Sequence, residues 1–138
     1  MLERKTEPYK LSKIGMARLE NAHPLLQALL KEMLWYVDFS LIESTRSLEQ
    51  QKKNVAKGVS KTLKSKHLPD EIGFSHAVDI WPYPVPRRTD GELDSNSNAW
   101  TNLALVAFFC AGKLGIQNLT WGGLWKTLVD KPHFELED

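Results

Sequence analysis

A chain of 138 residues, 42% hydrophobic and 25% charged, is long enough for one core and has the composition of a globular protein. Its 18 basic and 17 acidic side chains leave a formal net charge of +1, without the basic excess of nucleic-acid binders and with no support for electrostatic attachment to a membrane. One cysteine, Cys110, excludes an internal disulfide, and no window approaches the ~20 apolar residues of a membrane span.

Met1 to Pro8 lacks the apolar segment of a secretion signal, so the expectation is one domain over residues 1–138, made in the cytoplasm. After an irregular lead-in to Lys10, Ser12 is placed to cap a short helix reaching about Leu19, weakened by Gly15. His23-Pro24 opens the next helix, in which Leu25, Leu26, Leu29, Leu30, Met33 and Leu34 recur at helical spacing. His23 itself reads as a capping or surface histidine. Val37 to Glu43 reads as a strand that delivers Ser44-Thr45-Arg46 at its end. Ser47 caps a helix from Leu48 to about Lys57, Gly58 stops it, and Val59 to Lys66 follows as a polar, lysine-rich loop.

Turn signals at Pro69-Asp70 and Gly73 lead into Ser75 to Trp81, an alternating central strand that ends at Pro82. On it His76, Val78 and Ile80 face one side, and Ala77, Asp79 and Trp81 the other. Pro82 to Asn98 is a long loop, a specificity loop or a surface insertion. Trp100 to Leu114 is a helix with Leu103, Val106, Ala107 and Cys110 on one stripe, stopped by Gly115. Cys110 therefore reads as a small buried hydrophobe rather than a nucleophile. Leu119 to Trp121 is a short strand, Gly122-Gly123 a turn, and Pro132 to Leu136 the last strand.

Chemistry concentrates in two of these segments. A hydrolytic zinc has three protein ligands and an open position for water, and His67, Asp79 and His133 fit that set. Asp79 is a carboxylate inside an apolar strand, where it needs a metal, a cation or hydrogen-bond donors. Pairing of Asp79 with a lysine or arginine, with His67 as a loop histidine, stays open on spacing alone. His76, three strand positions before Asp79, points to the opposite face and is the weaker rival ligand. Asp130 precedes His133 by three residues in an extended segment, a position from which a carboxylate can take a proton from a water. Arg46 is the candidate electrophile, and Gln51 and Ser65 are candidates to orient it or the His67 loop.

Ser65-Lys66-His67, Ala77-Val78-Asp79 and Asp130-Lys131-Pro132-His133, in that order, with Thr45-Arg46, Gln51 and Trp121-Gly122-Gly123, carry a resemblance. From about His23 to Leu136 the chain resembles the zinc peptidases of peptidoglycan, which include D-alanyl-D-alanine carboxypeptidases and phage L-alanyl-D-glutamate endopeptidases. The resemblance implies a hedgehog/DD-peptidase-like α+β fold, with a small, mainly antiparallel sheet and helices packed on one side. It implies Zn2+ held by His67, Asp79 and His133, with Asp130 as catalytic base and Arg46 as oxyanion stabiliser. The implied substrate is peptidoglycan, cut at the L-alanyl-D-glutamate bond by an endolysin that waits in the host cytoplasm for a holin; a monomer is the simplest expectation. Two departures stand out: Leu68 to Phe74 lengthens the turn after His67, with Ser75 where a glycine is common, and Leu124 replaces a polar residue after Trp-Gly-Gly.

A D-alanyl-D-alanine carboxypeptidase would share every one of these residues, and an inactive wall-binding module would keep the fold. The lysines of Lys52-Lys53 and Lys57 to Lys66 are the one basic stretch, suited to approaching an anionic wall more than to binding nucleic acid.

Overall fold

Each helix begins where the sequence supplies a side-chain acceptor for the free amides of its first turn. The computed structural model describes residues 2–58, 60, 62 and 64–138. In it Ser12 Oγ accepts the N–H of Gly15 at the head of α1 (Lys13–Leu19). His23 Nδ1 accepts from Leu25 at 3.0 Å before α2 (Pro24–Met33), the capping role read for it in the sequence. Ser47 caps α3 (Leu48–Ala56) through Gln50, and Ser97 caps α4 (Asn98–Leu114) through Ala99. At the far end of α4, Gly115 takes the left-handed conformation with φ 73°, which a side chain would disfavour.

Four strands form one antiparallel sheet in the order β1-β2-β4-β3: β1 (Phe39–Glu43), β2 (Ala77–Pro82), β4 (His133–Leu136) and β3 (Leu119–Trp121). Alternation gives the sheet two unlike faces. Val78, Ile80, Phe134 and Leu136 enter one apolar cluster with Leu26, Leu29, Leu30 and Met33 of α2 and Leu103, Ala107 and Cys110 of α4. Burying each such large side chain contributes about 1.5–3 kcal/mol. Burial, with a smaller push from the charge of Glu32, raises the Cys110 thiol to about 11, which fits a core residue and not a nucleophile. Asp79 and His133, on the intervening positions, lie on the other face. The described residues of α3 add nothing to the apolar cluster; its buried side chain is Gln51.

Several boundaries shift for local reasons. Strand β1 starts at Phe39 rather than Val37, because the Val37 amide still bonds Met33 O in the closing turn of α2. Strand β2 starts at Ala77 rather than Ser75, since Ser75 bridges Ala22 and the His76 amide bonds Lys66 O. Helix α4 starts two residues early because Ser97 caps it, and β4 starts at His133 after Pro132. The predicted loop over residues 82–98 contains a small hairpin, with Arg87 paired to Leu93. Of the predicted lysine-rich loop, Val59, Lys61 and Leu63 lie outside the described residues.

Candidate active site

The sheet register brings the chemical residues into one row. Asp79 of β2 lies directly opposite His133 of β4. On the other side of β2, Leu41 pairs with Ile80 but Glu43 pairs with Asp79, so β1 is bulged by one residue. The bulge places Glu43 in the same row as Asp79 and His133. His67 arrives from the loop after α3, tied back by its carbonyl, which accepts the Arg46 amide at 2.8 Å, and by its own amide, which donates to Ser65 Oγ at 3.1 Å.

Three atoms converge there. His67 Nε2, Asp79 Oδ1 and His133 Nδ1 are each 3.2 Å from the other two. Ligands about 2.0–2.1 Å from a tetrahedral ion stand roughly 3.3–3.4 Å apart, so the triangle has the size of one face of such a site. The distal nitrogens are anchored by acceptors. His67 Nδ1–H donates to Ser44 O at 2.8 Å, and His133 Nε2–H donates to the Glu135 carboxylate at 2.7 Å. That turns Nε2 of His67 and Nδ1 of His133 towards the Asp79 oxygen, the arrangement in which outer partners prepare histidines for a cation. The group can hold a metal ion.

The charges agree with this reading. Burial works to raise the Asp79 pKa, but hydrogen bonds and charge from His133 and His67 hold it well below the usual carboxylate range. For the protein chain alone, burial lowers the His133 pKa, yet Asp79, Glu135 and the charge of Asp130 together raise it to about 9. A positive charge is thus favoured between these atoms, whether carried by a proton or by a metal.

Asp130 sits at the rim, with Oδ2 3.9 Å from His133 Nδ1 and its side chain 43% exposed. Partial burial and the charge of Asp79 raise its pKa, against opposing pulls from His133, His67 and Arg46. The Trp-Gly-Gly turn holds it: Gly122 O accepts the Asp130 amide, and Trp121 Nε1 donates to Lys131 O at 2.7 Å. Arg46 donates from Nη1 to Gln51 Oε1 at 2.7 Å and from Nη2 to Glu43 Oε1. Its buried Nε has no hydrogen-bond partner among the described residues. Gln51, fully buried, donates in turn to Ser60 Oγ and Thr62 O. A cleft of about 660 Å³ opens over this assembly, lined by Arg46, Ser65, His67, Asp130 and His133 among others. His76 takes no part: its Nε2 donates to Asp70 Oδ2 at 2.8 Å, on the far side of the turn.

A family model described as phage L-alanyl-D-glutamate peptidase matches residues 8–136. The chain belongs to that family. Among solved structures it is similar to the L-Ala D-Glu endopeptidase ChiX of Serratia marcescens, at 33% identity and TM-score 0.74, over 93% of this chain and 90% of that one. No curated protein matches. Membership makes the chain a peptidase of the group that its motifs resemble, and the α+β fold agrees with the one expected from that resemblance.

Three residues of this candidate site were not singled out in the sequence: Glu135, Glu43 and Ser44. Glu135 had a signal, since it follows His133 by two positions on a strand and so shares its face. Glu43 had none, because regular alternation from buried Leu41 sends it to the core side and only the bulge reverses that. Ser44 acts through its carbonyl, which any residue carries.

Proposed function

We propose that this peptidase hydrolyses the L-alanyl-D-glutamate bond of peptidoglycan stem peptides with zinc held by His67, Asp79 and His133. The observation that carries the reading is the 3.2 Å triangle of donor atoms, with Ser44 O and Glu135 anchoring the far nitrogens of the two rings. Bound there, zinc would polarise the scissile carbonyl and lower the pKa of a water towards ~7. Asp130, at the rim and not within the triangle, accepts the proton of that attacking water. Its raised pKa suits the second half of the task, delivery of the proton to the departing glutamate amine. Arg46 uses two of its five N–H groups on Glu43 and Gln51, and the remaining Nη donors serve the oxyanion. Gln51 and Ser65 act as positioning residues for Arg46 and for the His67 loop.

The enzyme works as a monomeric domain over residues 1–138, an endolysin that waits in the host cytoplasm and reaches the wall through a holin. In support, one apolar cluster joins α1, α2, α4 and all four strands. No helix among the described residues is long and apolar enough to cross a membrane.

Digestion of purified Gram-negative peptidoglycan, with and without a zinc chelator, tests the reading by mass spectrometry. Stem peptides beginning at D-glutamate, absent with chelator and restored by zinc, are expected. Free D-alanine as the main product would instead assign the carboxypeptidase reaction.

A further inference from the structure

Two hollows meet at Asp130. One is the 660 Å³ cleft over the donor triangle; the other, about 400 Å³, lies beyond Asp130 between the loop before α4 and the segment leading into β4. Asp130 lines both, and their walls differ in chemistry. The first carries Lys64, Lys66 and Lys126 besides Arg46. Lys66 is paired to Asp138 at 2.6 Å, while Lys64 and Lys126 form no ion pair among the described residues. The acidic groups lining that cleft are Asp130 and Glu135, the latter already engaged as acceptor from His133 Nε2 at 2.7 Å. The second hollow carries Leu93, Trp100, Val129 and Pro132 beside the uncharged Ser95 and Asn96, and its one ammonium, Lys131 Nζ, donates to Ser95 O.

The two sides of an L-alanyl-D-glutamate bond differ in the same sense. The acyl side ends in alanine, with a methyl group and no charge. On the leaving side stands a glutamate with two carboxyl groups, of which the peptide chain uses one; the other is a free carboxylate beside the scissile nitrogen. Further carboxylates follow towards the C-terminus of the stem.

We propose that the cleft is polarised: Lys64 and Lys126 bind the free carboxylates of the leaving peptide, and the Leu93–Val129–Pro132 hollow receives the alanyl side. This rests on the peptidase reading above and sets the direction in which the substrate lies. Asp130, where the hollows join, then stands beside the nitrogen it must protonate. Lysine ammoniums lining an open cleft attract carboxylates over about one Debye length, so they act on substrate capture more than on turnover.

The test uses two soluble muramoyl stem peptides that differ only in the glutamate α-group, a free carboxylate in one and a carboxamide in the other. Wild-type zinc enzyme is expected to cleave the carboxylate form with kcat/KM about tenfold or more above the amide form. Lys64→Glu and Lys126→Glu should raise KM for the carboxylate form with kcat nearly kept, and should shrink the preference. Circular dichroism and zinc content establish that both variants fold. Equal kcat/KM on both peptides, or lysine variants that lose equally on both, would overturn the polarity while leaving the peptidase reading intact. Cleavage of neither peptide at the alanyl-glutamate bond would overturn both.

Discussion

The carbonyl oxygen of Gly122 accepts the backbone N–H of Asp130 at 3.0 Å, and there is no space between the two segments for a side chain. A Cβ on Gly122 would lie 2.4 Å from Asp130 O and 3.1 Å from His133 Cβ. The glycine therefore sets how closely Asp130 approaches the donor triangle. Gly122→Ala should displace Asp130 and reduce kcat by about a hundredfold, the usual consequence of a misplacement near 1 Å. Kinetics on peptidoglycan fragments with circular dichroism would check this; near-wild-type kcat would show that Asp130 placement does not depend on this contact.

Asp130 and His133 are three residues apart but should separate cleanly by mutation. Asp130→Ala is expected to retain about one zinc per chain while losing a factor of roughly 10²–10⁴ in turnover. His133→Ala should lose the metal itself, because it removes one of three donors. Metal analysis after gel filtration, read beside the rates, distinguishes them. An Asp130→Ala enzyme working at nearly full rate would remove Asp130 from the mechanism.

Metal loading should release a proton. His133 of the metal-free chain is held at about 9 by Asp79 and Glu135 against the effect of burial, so it is protonated at pH 7. A metal needs the Nδ1 lone pair and expels that proton. Zinc titration calorimetry at pH 7 in buffers of different ionisation enthalpy should report about one proton released, and affinity should rise with pH towards 9. Buffer-independent heats would contradict the assigned protonation.

Gln51 is a polar residue with no exposure, and its amide links Arg46 to Ser60 and Thr62. Gln51→Leu keeps volume but leaves an Arg46 donor unsatisfied, at a cost of about 1–3 kcal/mol. The expected variant is less stable in urea by that amount and slower in kcat, with zinc content unchanged. A stability equal to wild type would mean that Arg46 finds another acceptor.

The turn from residue 68 to 74 carries an acid-sensitive clamp. His76 donates to Asp70, which also accepts the amides of Phe74, Ile72 and Gly73, and these hold the Asp70 carboxyl at about 2 against an ordinary 3.8. A depressed carboxylate pKa stabilises the fold fully above the unfolded value and loses that contribution as pH falls through the folded one. The clamp should therefore release between about pH 4 and pH 2. Acid-unfolding curves of wild type and Asp70→Asn should converge across that window, and parallel curves would remove the clamp.

The amino-acid sequence by itself determined the helices and supplied the candidate chemical residues. Ser12, His23, Ser47 and Ser97 cap within three positions of themselves, and the stripe of Leu103, Val106, Ala107 and Cys110 needs only the helical period. Such interactions are local and so are legible from order alone. The separate motifs around His67, Asp79 and His133 were legible as a resemblance, but their convergence was not. His67 and His133 meet across 66 positions, and Asp79 and His133 across 54. Strand register fixes the second approach and the backbone tie of the His67 loop to Arg46 helps fix the first, and both depend on the packing of the whole chain. Only the tertiary structure decided that a bulge turns Glu43 towards Arg46, that Ser44 O and Glu135 orient the two rings, and that His76 binds Asp70. A backbone carbonyl has no signature in sequence, and a one-residue slip in a strand reverses which face each side chain occupies.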